Sequence, residues 1–146
     1  MRPRILLGLA LLLGLGANLP AIEPAMRISQ KNTSQAVKAV VAAQLAALRA
    51  GNLPAAYAFA SRGIRAQFDE RLFGLLMQRG YAPLLQHQQS DLGLVHDNGA
   101  GAAELPVTVT DKLKRSTNYR YRLVQEAAGW RISGVVLEPR PPPADT

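Results

Sequence analysis

The sequence predicts an α+β domain, with three N-terminal helices packed on a four-stranded antiparallel meander sheet and an N-terminal signal peptide ahead of them. Apolar residues recur at helical spacing as far as Gly80, and after Pro83 they alternate with polar ones. Helices therefore come first and strands second, and a sheet with one dry face needs those helices as its cover.

The first helix starts near Asn32, where Asn32 and Gln35 have capping-box spacing, and its apolar stripe is Val37, Val40, Val41, Leu45 and Leu48. Gly51 ends it. Asn52 then caps a second helix with Pro54 in its first turn, where no amide is required, and that helix runs to about Ser61. Asp69 caps a third, in which Leu72, Phe73, Leu76 and Met77 share a face before Gly80.

Four strands follow, at about 86–95, 102–110, 118–125 and 130–138. Asn98-Gly99 is a hairpin signal, "EAAG" is short enough for a second hairpin, and "DKLKRST" is a longer loop. Alternation puts Leu105, Val107, Val109, Tyr119, Tyr121, Leu123, Trp130 and Ile132 on the dry face. Arg120, Arg122, Arg131 and Ser133 fall on the other. Pro106 lies among the outward positions and implies an edge or a bulge.

The 146 residues, 48% of them hydrophobic, suffice for one core. Arg2 and Arg4 precede an apolar run from Ile5 that ends at Asn18 and Pro20, short of the roughly 20 residues a spanning helix needs. Residues 1–21 therefore read as a signal peptide cleaved near Ala17 or Ala21, followed by a linker over 22–31, a domain over 32–138 and a proline-rich tail over 139–146. The expected location is the periplasm or the exterior, with membrane attachment only if the leader is retained. With no cysteine, disulfides and thiolate metal sites are excluded. The formal charge of +7 falls by two when Arg2 and Arg4 are removed. No basic run exceeds Lys112–Arg115 and few aromatics stand near it, so a nucleic-acid surface is not expected.

The segments "VVAAQLAALRAGNLPAAYAFAS", "FDERLFGLLMQRGYAPLL" and "GWRISGVVLE" together resemble an uncharacterised bacterial family, the domains of unknown function numbered 4864, within the nuclear transport factor 2-like (cystatin-like) superfamily. The resemblance spans about Thr33 to Glu138. It implies a cone of helices wrapped by a curved sheet, often with an internal pocket and often dimeric through the outer sheet face. Arg62 stands where that family usually has proline, and "EAAG" replaces a polar turn. No catalytic residue is transferable, and a shared fold does not specify an activity.

Catalysis in such a cone needs an internal carboxylate or imidazole. Glu104 and Asp91 have outward parity, Asp111 and Glu126 sit at strand ends, and His96 touches the Asn98-Gly99 turn. His87 and His96 are the only histidines, too few for a metal site, and Ser61 and Ser133 show no triad spacing. No catalytic residue, metal or cofactor is expected. Tyr57, Tyr119, Tyr121 and Trp130 are the candidates for a ligand pocket, set against ordinary core packing. Arg120, Arg122 and Arg131 are the candidates for a basic surface, set against cross-strand pairing with Glu104 or Glu138. The leading expectation is an exported, non-catalytic domain for a small apolar ligand or a protein partner, including a homodimer partner. The alternatives are an isomerase- or dehydratase-like enzyme and a cell-envelope association module.

Overall fold

The computed structural model describes residues 24–140; the expected signal segment 1–21 and residues 141–146 of the tail lie outside the described residues. The fold is α+β, an open antiparallel sheet with helices on one face. In chain order the elements are β1 (Arg27–Ile28), α1 (Lys31–Arg49), α2 (Leu53–Tyr57), α3 (Arg62–Gln67), α4 (Glu70–Gly80), α5 (Ala82–Gln86), β2 (Gln89–Leu92), β3 (His96–Asp97), β4 (Ala102–Thr110), β5 (Ser116–Glu126) and β6 (Gly129–Glu138). The sheet runs β1-β3-β4-β5-β6, and β2 shares the β4 edge with β3. No described helix is long and apolar enough to cross a membrane.

The strand faces agree with the period-two reading. Ala103, Leu105, Val107, Val109, Tyr119, Tyr121, Leu123, Trp130 and Ile132 are buried against Val37, Val41, Leu45 and Leu48 of α1. A bulge between Arg122 and Leu123 leaves Ser133 unpaired, because Leu123 faces Ile132 while Arg122 faces Gly134. Asn52 Oδ1 accepts from the Ala55 amide at 3.1 Å and Asp69 Oδ1 from Leu72 at 2.8 Å, so both expected caps form.

Among the described residues five helical segments stand where three were expected, and the differences have identifiable causes. α1 starts one residue before Asn32, after Gln30, without a side-chain cap. The second expected helix is cut after Tyr57, because Phe59–Ser61 pairs with the free edge of β6: Ile132 N donates to Phe59 O and Ser61 N to Ile132 O, both at 2.8 Å. Ser61 Oγ then accepts from Ile64 N and opens α3. Arg62 occupies the first turn of α3, a position suited to proline, and its amide donates to Glu126 Oε2 at 2.8 Å. Pro83 enters the first turn of α5 instead of ending helical structure. The expected linker carries β1, which pairs Ile28 with His96 and Arg27 with Asp97.

The expected strand at 86–95 forms only over Gln89–Leu92, since Gln86 ends α5, and a separate short strand follows at His96–Asp97. Gly93 N donates to Pro106 O at 2.8 Å, so the Pro106 backbone faces this neighbouring segment. In a strand a residue's N–H and C=O point the same way, and Pro106 has no N–H to return. Pairing therefore stops after Leu92–Val107 and resumes at His96–Glu104. Leu94 is turned out to 53% exposure and Val95 is buried.

His87 lies after α5, buried, its Nδ1–H donating to Leu84 O at 2.7 Å. Burial lowers its pKa from the ordinary 6.5 and Arg49 adds repulsion, against the raising effect of the Leu84 bond. The unfolded chain takes up this proton near 6.5 while the folded chain resists it. Stability from neutral His87 is thus present above that pH and is lost as the pH falls below it. Thermal melts from about pH 7.5 to about pH 5 should show a steeper decline for the native chain than for His87→Gln; parallel curves would contradict this.

Candidate functional site

A space lies between the helices and β6. Gln44 of α1, Ala60, Ile64 of α3, Phe68, Phe73, Leu76 and Met77 of α4, Tyr81, Leu84 of α5, and Ile132, Gly134 and Val135 of β6 line a cavity of about 260 Å³. Leu76 is 37% exposed and stands at its mouth, whereas Ala60, Leu84 and Ile132 are buried. An apolar cavity of about 150 Å³ already holds benzene, so this one accepts a larger small molecule.

Among the described residues, the wall contains no carboxylate, imidazole or cation. Its polar side chains are Gln44 and Tyr81, and the Tyr81 hydroxyl donates to Val135 O at 2.9 Å. Gln44 is 3% exposed, and its Oε1 is buried with no hydrogen-bond partner. Among the described residues no group of three or more His, Cys, Asp or Glu is placed to hold a metal ion.

The four aromatic candidates are placed in the core and not in this wall. Tyr57 packs on Phe73 with ring centroids 5.2 Å apart, and its hydroxyl donates to Phe68 O at 2.7 Å. Tyr119 and Tyr121 are buried in the core; burial pushes the Tyr119 phenol up to about 12 and Tyr121 higher still. Neither is suited to proton transfer near neutrality. Trp130 is 8% exposed, packs in the core, and gives one edge to a separate polar depression of about 200 Å³ with Arg27, Thr33, Asp97 and Gln125. A single sequence signal did mark the cavity: Gln44 is an uncharged polar residue on the Val41, Leu45 and Leu48 stripe of α1.

The arginines do not form a stripe of three exposed cations. Arg120 Nε donates to Glu138 Oε2 at 2.8 Å and Nη1 to Glu104 Oε2 at 3.0 Å, an arrangement that raises its pKa further, first through Glu138. Arg122 is exposed beside this cluster, opposite Glu104 and Gly134. Arg131 lies beyond the bulge opposite Val124, and its Nη1 donates to Trp130 O at 2.8 Å. His96 is across from Glu104 on the same outer face, and Asp91 is exposed across from Thr108. Asp111 is tied into its loop by Arg115, and Glu126 by the Arg62 amide.

A family model of a domain of unknown function, DUF4864, matches residues 30–145. The chain belongs to this family. The match takes in every helix and β2 to β6, and so the whole cavity wall from Gln44 to Val135 lies within the DUF4864 domain. No curated protein matches the chain.

Proposed function

We propose that this DUF4864 protein is an exported, non-catalytic domain that binds a small, largely apolar molecule between its helices and β6, in the manner of a nuclear transport factor 2-like cone. The observation that carries the reading is the apolar cavity of about 260 Å³ with a mouth at Leu76. Export is supported by Arg2 and Arg4 ahead of the apolar run from Ile5. Binding without turnover is supported by a wall that offers no carboxylate or imidazole for general acid-base work. The envelope-association alternative is weakened by Glu104 and Glu138, which neutralise Arg120.

The test is a titration of the full chain with 2-ethylnaphthalene, followed by the ligand's own fluorescence. Saturable binding is expected. Ala60→Leu places three more carbons in the cavity and should weaken binding by about tenfold or more, equivalent to about 1.4 kcal/mol, with the thermal midpoint unchanged or raised because the added carbons fill empty space. No saturable binding, or equal binding by Ala60→Leu, would remove the cavity as the site.

A further inference from the structure

Gln44 is at odds with the wall around it. A carboxamide oxygen buried among apolar side chains without a partner is destabilising, and native proteins satisfy nearly all such atoms. Its neighbours in the wall do not supply a donor: the Tyr81 hydroxyl is committed to Val135 O, and the facing side chains of Phe73, Met77, Leu84 and Ile132 have none. The Tyr121 hydroxyl is also buried and unpartnered, but it is not part of the wall. Gln44 is therefore the wall residue whose polar side-chain atom is left without a partner.

We infer that the cavity selects a neutral, mostly apolar ligand carrying one hydroxyl, which pairs with the Gln44 carboxamide. The inference rests on the cavity being the ligand site. A hydroxyl both donates and accepts, so it satisfies Oε1 and can also take the Nε2 hydrogens. A carboxylate would bury its charge in a wall without a cation, and an ammonium would do so without an anion. In proportion to the roughly 150 Å³ that hold benzene, the enclosed part takes about ten non-hydrogen atoms, and a longer ligand projects past Leu76. The class is thus a mono-hydroxylated hydrocarbon: a fused-ring or medium-chain alcohol.

The test compares 2-naphthalenemethanol, 2-ethylnaphthalene and 2-naphthoate on the full chain and on Gln44→Met, which keeps length and removes the amide. The ratio of alcohol affinity to hydrocarbon affinity should fall about tenfold in Gln44→Met, since the bond to the hydroxyl is lost and hydrocarbon packing is kept. Naphthoate should bind the native chain at least tenfold more weakly than the alcohol. Far-ultraviolet circular dichroism checks that the variant is folded, and Gln44→Leu repeats the measurement if it is not. An unchanged ratio with both neutral ligands bound overturns the inference and leaves the cavity as a site; that is the outcome if a resident water, and not the ligand, pairs with Gln44. Naphthoate binding as tightly as the alcohol overturns the neutral class. If neither neutral ligand binds the native chain, the cavity reading fails and this inference fails with it.

Discussion

Trp130→Ala should lower the unfolding free energy by about 3–5 kcal/mol, a large part of the roughly 5–15 kcal/mol that holds a domain of this size together. Trp130 is 8% exposed and belongs to the core with Leu123 and Ile132, and its strand is the one whose outer edge Phe59–Ser61 closes. Removing the indole leaves a cavity under the strand that also forms a wall of the candidate site. Trp130→Phe keeps an aromatic ring there and should lose less. As Trp130 is the only tryptophan, a urea titration read by circular dichroism at constant protein concentration is the suitable measurement. If Trp130→Ala stayed within about 1 kcal/mol of the native chain and instead lost ligand, the indole would be a binding platform and not a core residue.

What could be read in advance was local in the chain. The dry face of β4, β5 and β6 follows from alternation alone, because a sheet covered on one side imposes period two on each strand. Asn52 and Asp69 satisfy amides three residues away, so their capping needs no knowledge of the rest of the fold. What could not be read depends on partners far along the chain. The second helix ends because Phe59–Ser61 pairs with Ile132, more than seventy residues later, and β2 stops because Pro106 on another strand has no amide hydrogen. The cavity is lined from α1, α3, α4, α5, β6 and the segments between them, so its wall carries no contiguous motif. Tyr57, Tyr119, Tyr121 and Trp130, pocket candidates weighed against core packing, take the second role, being large enough to bury more apolar surface in the core itself. In the arginine group, Arg120 found its acids across the sheet, while Arg131 was carried past a bulge that period two does not show.

Gly93→Ala should destabilise the fold by about 1–3 kcal/mol, the usual range for forcing an atom into filled space. A Cβ at Gly93 would lie 2.5 Å from Pro106 Cγ, 3.2 Å from Cδ and 3.3 Å from the Pro106 carbonyl oxygen. A proline ring cannot swing aside as a lysine or arginine tip can, so the chain between β2 and β3 has to move. That movement threatens the Gly93 N–H bond to Pro106 O and, three residues on, the pairing of His96 with Glu104. Pro106→Ala removes the ring but keeps the carbonyl, and so it separates crowding from any intrinsic cost of alanine at position 93. In the Pro106→Ala background the Gly93→Ala penalty should shrink by about 1–2 kcal/mol, a coupling of the size seen between residues in contact. Chemical denaturation of the four proteins of this cycle measures it. Additive costs would mean that Gly93 is needed for its backbone and not for the space beside Pro106, and the account of why β2 and β3 are two strands would then rest on the missing proline amide alone.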